Sequence, residues 1–237
     1  MKNPITDHIK NHRSIRRFED RPLPKGLVEE LVTCGQSAST SSNLQAYSVI
    51  EVSDPKRKKA LAEFCADLNR DRLAGQLHGV KKFDTDYVEA LLIATVDAAL
   101  VLQNVALAAE SHGLGICIIG AIRIHPKVVG KLLKLPPLVY AVAGLCLGYP
   151  AKDQQQKPRL PLETILHHER YPEDDQQIGH IKGYDQTMVE FFSSQAMHDK
   201  DPRWSKVMAA RTARFHERAE LDEYLSDQGF HFKSSTP

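Results

Sequence analysis

His112-Gly113-Leu114-Gly115-Ile116-Cys117-Ile118-Ile119-Gly120-Ala121-Ile122-Arg123 is the stretch on which the fold turns. It reads as a helix stop, a strand and a turn. Gly113 suits the left-handed cap that ends many helices. Ile116 to Ile119 is apolar without alternation, which predicts burial on both faces and therefore a central strand covered by helices. Upstream, Val88 to Ala109 is the most apolar segment of the chain and extends to a helix from about Asp86 to His112. It is long enough to span a membrane, but Asp97, Gln103 and Asn104 interrupt it and Glu89 and Glu110 flank it. A buried core helix, shared with a partner subunit, is the reading these residues favour. Downstream, Pro126 opens a helix through Leu133. Val139-Tyr140-Ala141-Val142-Ala143-Gly144-Leu145-Cys146-Leu147-Gly148 forms a second buried strand, which leaves the sheet at Tyr149-Pro150.

The N-terminal third adds smaller elements. Pro4 and Thr6-Asp7 begin a short helix ending near His12. Asn11-His12-Arg13-Ser14-Ile15-Arg16-Arg17-Phe18 then places three arginines, a histidine and a hydroxyl together. Arginine presents a planar fork of donors that matches phosphate oxygens, and Ser14 adds a neutral donor, so the cluster is a candidate anion site; a solvated basic turn is the plainer alternative. After the stop at Pro22-Leu23-Pro24, Leu27, Val28, Leu31 and Val32 fall at helical spacing within Lys25 to Ser37. Ala38-Ser39-Thr40-Ser41-Ser42-Asn43 reads as a compact polar loop before a strand at Tyr47–Val52. Asp54-Pro55 caps a charged helix to about Glu63. Phe64 to Leu68 fits a strand or a continued helix, and Asn69 to Asp84 reads as polar and irregular.

Charge restricts the function classes. The chain has 237 residues with 31 Lys plus Arg and 30 Asp plus Glu, a formal net charge of +1. A general nucleic-acid binder carries a basic excess, so any anion site here is local. Cys34, Cys65, Cys117 and Cys146 are scattered, without CxxC or zinc spacing, and each lies among apolar neighbours, which predicts buried reduced thiols. No apolar signal core follows Met1, so a cytoplasmic protein is the expectation. Beyond Lys157-Pro158-Arg159-Leu160-Pro161 the chain becomes charged and His-rich, with helices predicted near Ile181–Ser194 and Trp204–Leu225. It has too little apolar area for a core of its own. His167-His168 lacks supporting carboxylates at ligand spacing and reads as surface, so no metal site is expected. The elements together describe a mixed α/β or α+β domain, a sheet with helices on both faces.

Four separated features, in order, resemble the nitroreductase family of FMN enzymes. They are His12-Arg13-Ser14-Ile15-Arg16; the Ser39–Ser42 loop ending in Leu44-Gln45; Gly113-Leu114-Gly115 through Arg123; and Gly144 to Pro150 followed by Lys157-Pro158-Arg159-Leu160-Pro161. Tyr184 and Trp204 extend the likeness into the tail. It is greatest to the oxygen-insensitive NADPH nitroreductase and flavin reductase group. The resemblance implies an α+β subunit with a central mixed sheet flanked by helices. It also implies a single domain over residues 1–237, with a core to about 166 and a helical extension over 167–237 that wraps the partner subunit. A homodimer with two FMN sites at its interface follows, with Val88–Ala109 in the dimer core and Ala98 and Ala106 on the face toward the partner. The same resemblance assigns His12, Arg13, Ser14, Ile15 and Arg16 to FMN, with Ser39, Thr40 and Ser41 from the second loop. Ile118, Ile119, Gly120 and Ala121 would lie along the ring, with Arg123 nearby, and Lys157 and Arg159 would reach the flavin or its phosphate. Lys200 and Arg203 are candidates for the 2′-phosphate of NADPH.

The implied mechanism is ping-pong. NADPH gives a hydride to the flavin and leaves, and a small flat acceptor such as a nitroaromatic, a quinone or free flavin replaces it. The flavin carries the chemistry, so no catalytic dyad is required; the chain contains no GxSxG, HExxH, P-loop or GxGxxG. In this sequence Ala60-Leu61-Ala62-Glu63 runs straight into Phe64-Cys65-Ala66-Asp67, without the Gly-Gln loop and most of the strand that the family carries there. Ala121 stands where a second glycine is usual. Two alternatives remain: a non-catalytic dimer that binds or sequesters flavin, and a nucleic-acid or anion-binding module using His12 to Arg17.

Overall fold

A computed structural model describes residues 3–53, 63–80, 83–152, 154–195 and 201–231. The chain divides into two compact units, residues 1–154 with 218–237 and residues 155–217.

In the first unit, α1 (Pro4–Lys10) starts because Asn3 caps it. The Asn3 Oδ1 accepts from the Ile5 and Thr6 amides, and Pro4 occupies the first turn, where no amide donor is needed. α2 (Leu27–Gln36) follows the left-handed Gly26. It lies hard against α4 (Val88–Ser111): a Cβ on Gly35 would sit 2.6 Å from Val105, so glycine permits the approach. The sheet contains β1 (Tyr47–Ile50), β2 (Glu63–Asp67), β3 (Gly115–Ile119) and β4 (Val139–Gly148), in the order β1-β2-β4-β3. Every pairing among these strands is antiparallel. The sheet is thus not mixed as expected; the parallel contact among the described residues is a single bridge between Ser14 and Ile116.

Three further expectations are corrected. β3 is an edge strand rather than a central one. Its apolar run arises because one face meets the core of α2 and α4, while Ile15 packs over Gly115 on the other. Residues 69–77 are not irregular but form α3 (Asn69–Leu77). The Asp67 carboxylate supplies its start, accepting from the amides of Asn69 and Arg70. Of the cysteines only Cys65 is buried; Cys34 and Cys146 are exposed and Cys117 is intermediate. The predicted helix beginning at Asp54 lies outside the described residues, apart from Glu63. β2 itself pairs with β1 on one side and β4 on the other, and Phe64, Cys65 and Ala66 are buried, so it is an interior strand.

A bulge explains why β4 reads as continuously apolar. Phe64 pairs with Ala143 and Cys65 with Ala141, leaving Val142 as the extra residue. Before the bulge Tyr140 faces α4, and after it Ala143 and Leu145 do. The opposite face carries Cys65, Val139 and Ala141 under α5 (Pro126–Leu133). α8 (Glu220–Asp227) returns to this unit and buries Tyr224 and Leu225, beside Phe230, against Leu138 and Tyr140.

Helix α4 is in the interior of the unit, but not all round. Ala98 and Ala106, expected toward a partner, are 1% and 0% exposed and belong to the chain's own core. The open apolar side is Val88, Leu92, Val96 and Leu100, one residue per turn.

The second unit holds α6 (Asp174–Ser193) and α7 (Trp204–Thr212). The predicted helix from Trp204 to Leu225 is therefore broken, with a 3-10 turn at Phe215–Arg218 between α7 and α8. Asp185 of α6 accepts from the Ser205 amide at 2.8 Å and the Ser205 hydroxyl at 2.5 Å, placing a carboxylate at the positive end of α7. Tyr184 donates to the Pro158 carbonyl at 2.8 Å and meets Trp204 edge to face.

Candidate functional site

The basic segment after α1 lies along the outer edge of β3. The Ile15 amide donates to the Ile116 carbonyl at 2.8 Å, and further on the Glu19 amide donates to Tyr149 and the Ala151 amide to Arg17. Extended backbone alternates its side chains. Ile15 goes inward over Gly115, so this predicted cofactor residue serves as the anchor of the segment. Ser14, bridged to Ile116, shares the face of Ile116 and Ile118, and alternation directs Arg16 the same way.

Arg16 is exposed and makes no ion pair or hydrogen bond among the described residues. Arg13 donates to the Asn11 carbonyl at 3.1 Å. His12 is tied to α4, its Nδ1 lying 2.8 Å from Glu110 Oε1, while Glu110 Oε2 is buried with no hydrogen-bond partner among the described residues. Arg21 lies over the Tyr149 ring, 3.8 Å from its centroid, which fixes the far end of the segment.

Ile118 is 41% exposed, although its cross-strand partner Leu145 and its same-face neighbour Ile116 are buried. An apolar side chain thus lies open on the face that Ser14 shares through its bridge to Ile116. Gly120 and Ala121 follow, at the start of a 3-10 turn over Ala121–Ile124. Ile119 faces the other way and packs beside Ile122 and Val129. Arg123 is drawn into the fold: its guanidinium donates to the carbonyl of the bulged Val142, and burial, helped by Arg218, pushes its pKa down.

The serine loop has an anchor that the sequence reading did not single out. Asp97, 1% exposed in the middle of α4, accepts from the Ser41 amide at 3.0 Å through Oδ1 and from the Ala46 amide at 3.1 Å through Oδ2. Between these two bonds Ser42, Asn43 and Gln45 all take left-handed backbone, which non-glycine residues resist. Ser39 and Ser41 are exposed and Thr40 partly so. The only signal for Asp97 was an isolated acid in an apolar helix, a residue that is stable there only if its charge is hydrogen-bonded.

These two groups do not meet in one chain. From Asp97, which holds the serine loop, to Glu110, which holds His12, is about 20 Å along α4 at the helical rise per residue. Along β4, from Tyr140 beside the start of β1 to Leu147 beside Ile116, the separation is roughly 23 Å at the strand rise. The chain presents two half-sites, one of cations and an open isoleucine, the other of hydroxyls and backbone amides.

Lys157 and Arg159 belong to the second unit, where both are exposed and the Lys157 ammonium lies 5.4 Å from the Phe192 ring centroid. Arg203 of the same unit is engaged by Asp201, its Nε 2.9 Å from Oδ1, and Lys206 joins the same carboxylate. These cations hold the Asp201 carboxyl below its ordinary range, and Asp201 raises the Arg203 guanidinium in turn. Lys200 lies outside the described residues.

The donor set fits a phosphorylated flat ring. An arginine fork unpaired among the described residues, with a serine, suits a dianion, and Ile118 with the turn at Gly120 offers an apolar ledge for a planar group.

Comparison with known proteins gives the same direction. The model of the nitroreductase family matches residues 9–96 and 88–149, and that of the nitroreductase family C-terminal domain matches residues 157–233. An FMN reductase [NAD(P)H] of Bacillus subtilis is 35% identical over 245 residues, covering 96% of this chain and 98% of that one. A Cr(VI) reductase of a Pseudomonas species is 33% identical, covering 97% and 100%. Among solved structures, B. megaterium NfrA2 superimposes with a TM-score of 0.94 at 32% identity, covering 98% of this chain and 100% of that one. The NADPH:FMN oxidoreductase from Vibrio harveyi, complexed with NAD+, gives 0.83 at 31% identity, covering 96% and 98%.

Proposed function

The chain belongs to the nitroreductase family, and from that membership we propose that it is an FMN-dependent oxidoreductase drawing electrons from NAD(P)H. The observation that carries the reading is Arg16, exposed and unpaired among the described residues, two positions from a Ser14 that is bridged to the strand bearing the half-exposed Ile118. Bound FMN supplies hydride acceptance and donation; the chain supplies binding, orientation and electrostatics. Arg16, Ser14 and Arg13 hold the phosphate and the polar chain of the cofactor. Ile118, Gly120 and Ala121 form the ledge for its ring. Ser39, Thr40 and Ser41, held by Asp97, give hydroxyl and amide donors. The family resemblance also assigns Lys157 and Arg159, of the second unit, to the flavin or its phosphate. Small flat acceptors, nitroaromatics, quinones or free flavin, stack on the open side, where little but shape is demanded.

The protein works as a homodimer in the cytoplasm. Half-sites about 20 Å apart are completed when two chains pair, so that the cations of one face the serine loop of the other. The apolar stripe of α4 supports this, since exposed aliphatic residues at successive turns call for a cover. Leu100, 42% exposed, is its most informative member. Leu100→Asp halves the mass measured by light scattering and releases flavin with it; a variant that stays dimeric places the interface elsewhere.

Lys200 and Arg203 are proposed to meet the 2′-phosphate of NADPH. Asp201 competes for Arg203, so its release from that carboxylate accompanies cofactor binding. Arg203→Ala raises KM for NADPH several-fold more than KM for NADH. Equal changes for the two reject the assignment.

Turnover separates the enzyme from a flavin-sequestering dimer. With FMN-loaded protein and a quinone in excess, NADPH is consumed over many cycles; a single stoichiometric oxidation would leave sequestration as the function.

A further inference from the structure

We propose that Cys117 and Cys146 are a thiol pair that closes to a disulfide when the protein meets a peroxide. The two residues are direct cross-strand partners on β3 and β4. In antiparallel sheet such partners have Cα atoms about 4.5 or 5.5 Å apart, depending on the hydrogen-bonding site. Both spacings lie within the roughly 4.4–6.8 Å between Cα atoms that a disulfide spans, and the Cβ atoms of such partners, about 4.5–5.5 Å apart, need to draw together slightly for the bond to close. Direct partners also project from the same face. Here that face is the one turned away from α2 and α4, because Ile116, Leu145 and Leu147 take the other.

The access is right as well. On this face Cys65 is sealed beneath α5, but the cover does not reach the outer end of β4: Cys146 is exposed and Cys117 partly so. Although Cys146 is open to solvent as a residue, partial burial of its sulfur, with the neighbouring Cys117, pushes the thiol above its ordinary range. Cys34 is exposed on α2, outside the sheet that pairs the other two.

The reaction balances with one peroxide. Each thiol gives up one proton and one electron, the sulfur–sulfur bond forms, the oxygen–oxygen bond breaks, and two waters leave. The result ties the edge strand that carries Ile118 to the interior strand β4, closing a loop that includes the Gly120 turn and α5. The disulfide itself does not depend on the flavin reading.

The test uses the full-length dimer. Protein is exposed to hydrogen peroxide, the peroxide is removed with catalase, and the thiols are capped with N-ethylmaleimide in denaturant before intact-mass analysis. Untreated protein takes four labels, one per cysteine. Oxidised protein takes two, peptide mapping joins the segments bearing Cys117 and Cys146, and dithiothreitol restores all four labels. Cys117→Ser removes the bridge and leaves the mass of the dimer unchanged. Four labels after peroxide, a Cys34-linked dimer, or Cys146 oxidised to an acid without a bridge would each overturn the proposal.

Discussion

Asp97→Ala strips the serine loop of its anchor and lowers stability by about 2–5 kcal/mol. The loss follows from a buried amide, that of Ala46, and a partly buried one, that of Ser41, left without an acceptor. The left-handed residues between them, Ser42, Asn43 and Gln45, add strain that the bonds to Asp97 now offset. With the carboxylate gone that strain favours opening, and the loop stops presenting Ser39 to Ser41. Asp97→Asn keeps one acceptor oxygen and removes the charge, so it falls between the parent and the alanine variant. Urea unfolding of the apoprotein measures the stability term, and FMN titration of the folded variants measures the loop term. An alanine variant that retains both the unfolding midpoint and the flavin affinity contradicts the assigned role.

Arg16→Ala separates binding from folding in the opposite sense. The side chain is exposed and unpaired among the described residues, so stability changes by no more than about 0.5 kcal/mol. A charge-assisted pair with a phosphate is worth roughly 1.5–3 kcal/mol, so FMN affinity falls about 10- to 150-fold. Arg16→Lys recovers part of the loss, because a point charge replaces a planar fork. Flavin fluorescence titration reads all three proteins. Equal affinity across them removes Arg16 from the site.

The elements of the fold were legible where hydrophobic period and stop signals coincide. α4, the strands at Ile116 and Val139, and the helix at Pro126 all fall where their residues place them. Position within the sheet was not legible. β3 is apolar on both faces yet lies at the edge, because a non-adjacent segment, Ile15 over Gly115, supplies its second cover. In β4 a bulge at Val142 reverses the alternation, so the strand reads as uniformly apolar while each half presents a different parity to α4. Local capping was underrated as well: Asp67 turns a polar stretch with little helical pattern into α3.

The candidate site was half legible. The cation cluster was visible because arginines are rare at such density in a neutral chain. What holds the site was not, since Asp97 acts across 56 positions of sequence on Ser41, and Arg123 spends its fork on Val142. Composition alone does not tell a small residue that faces a partner subunit from one that lets two elements of the same chain approach; Ala98 and Ala106 are of the second kind.

The central claim is that this chain holds FMN and reduces it with NAD(P)H. Its most direct test is the visible absorption spectrum after incubation with FMN and desalting, repeated with NADPH under anaerobic conditions. The account predicts a retained flavin band that bleaches on addition of NADPH. A chain that emerges colourless, or a retained band that NADPH leaves unchanged, contradicts it.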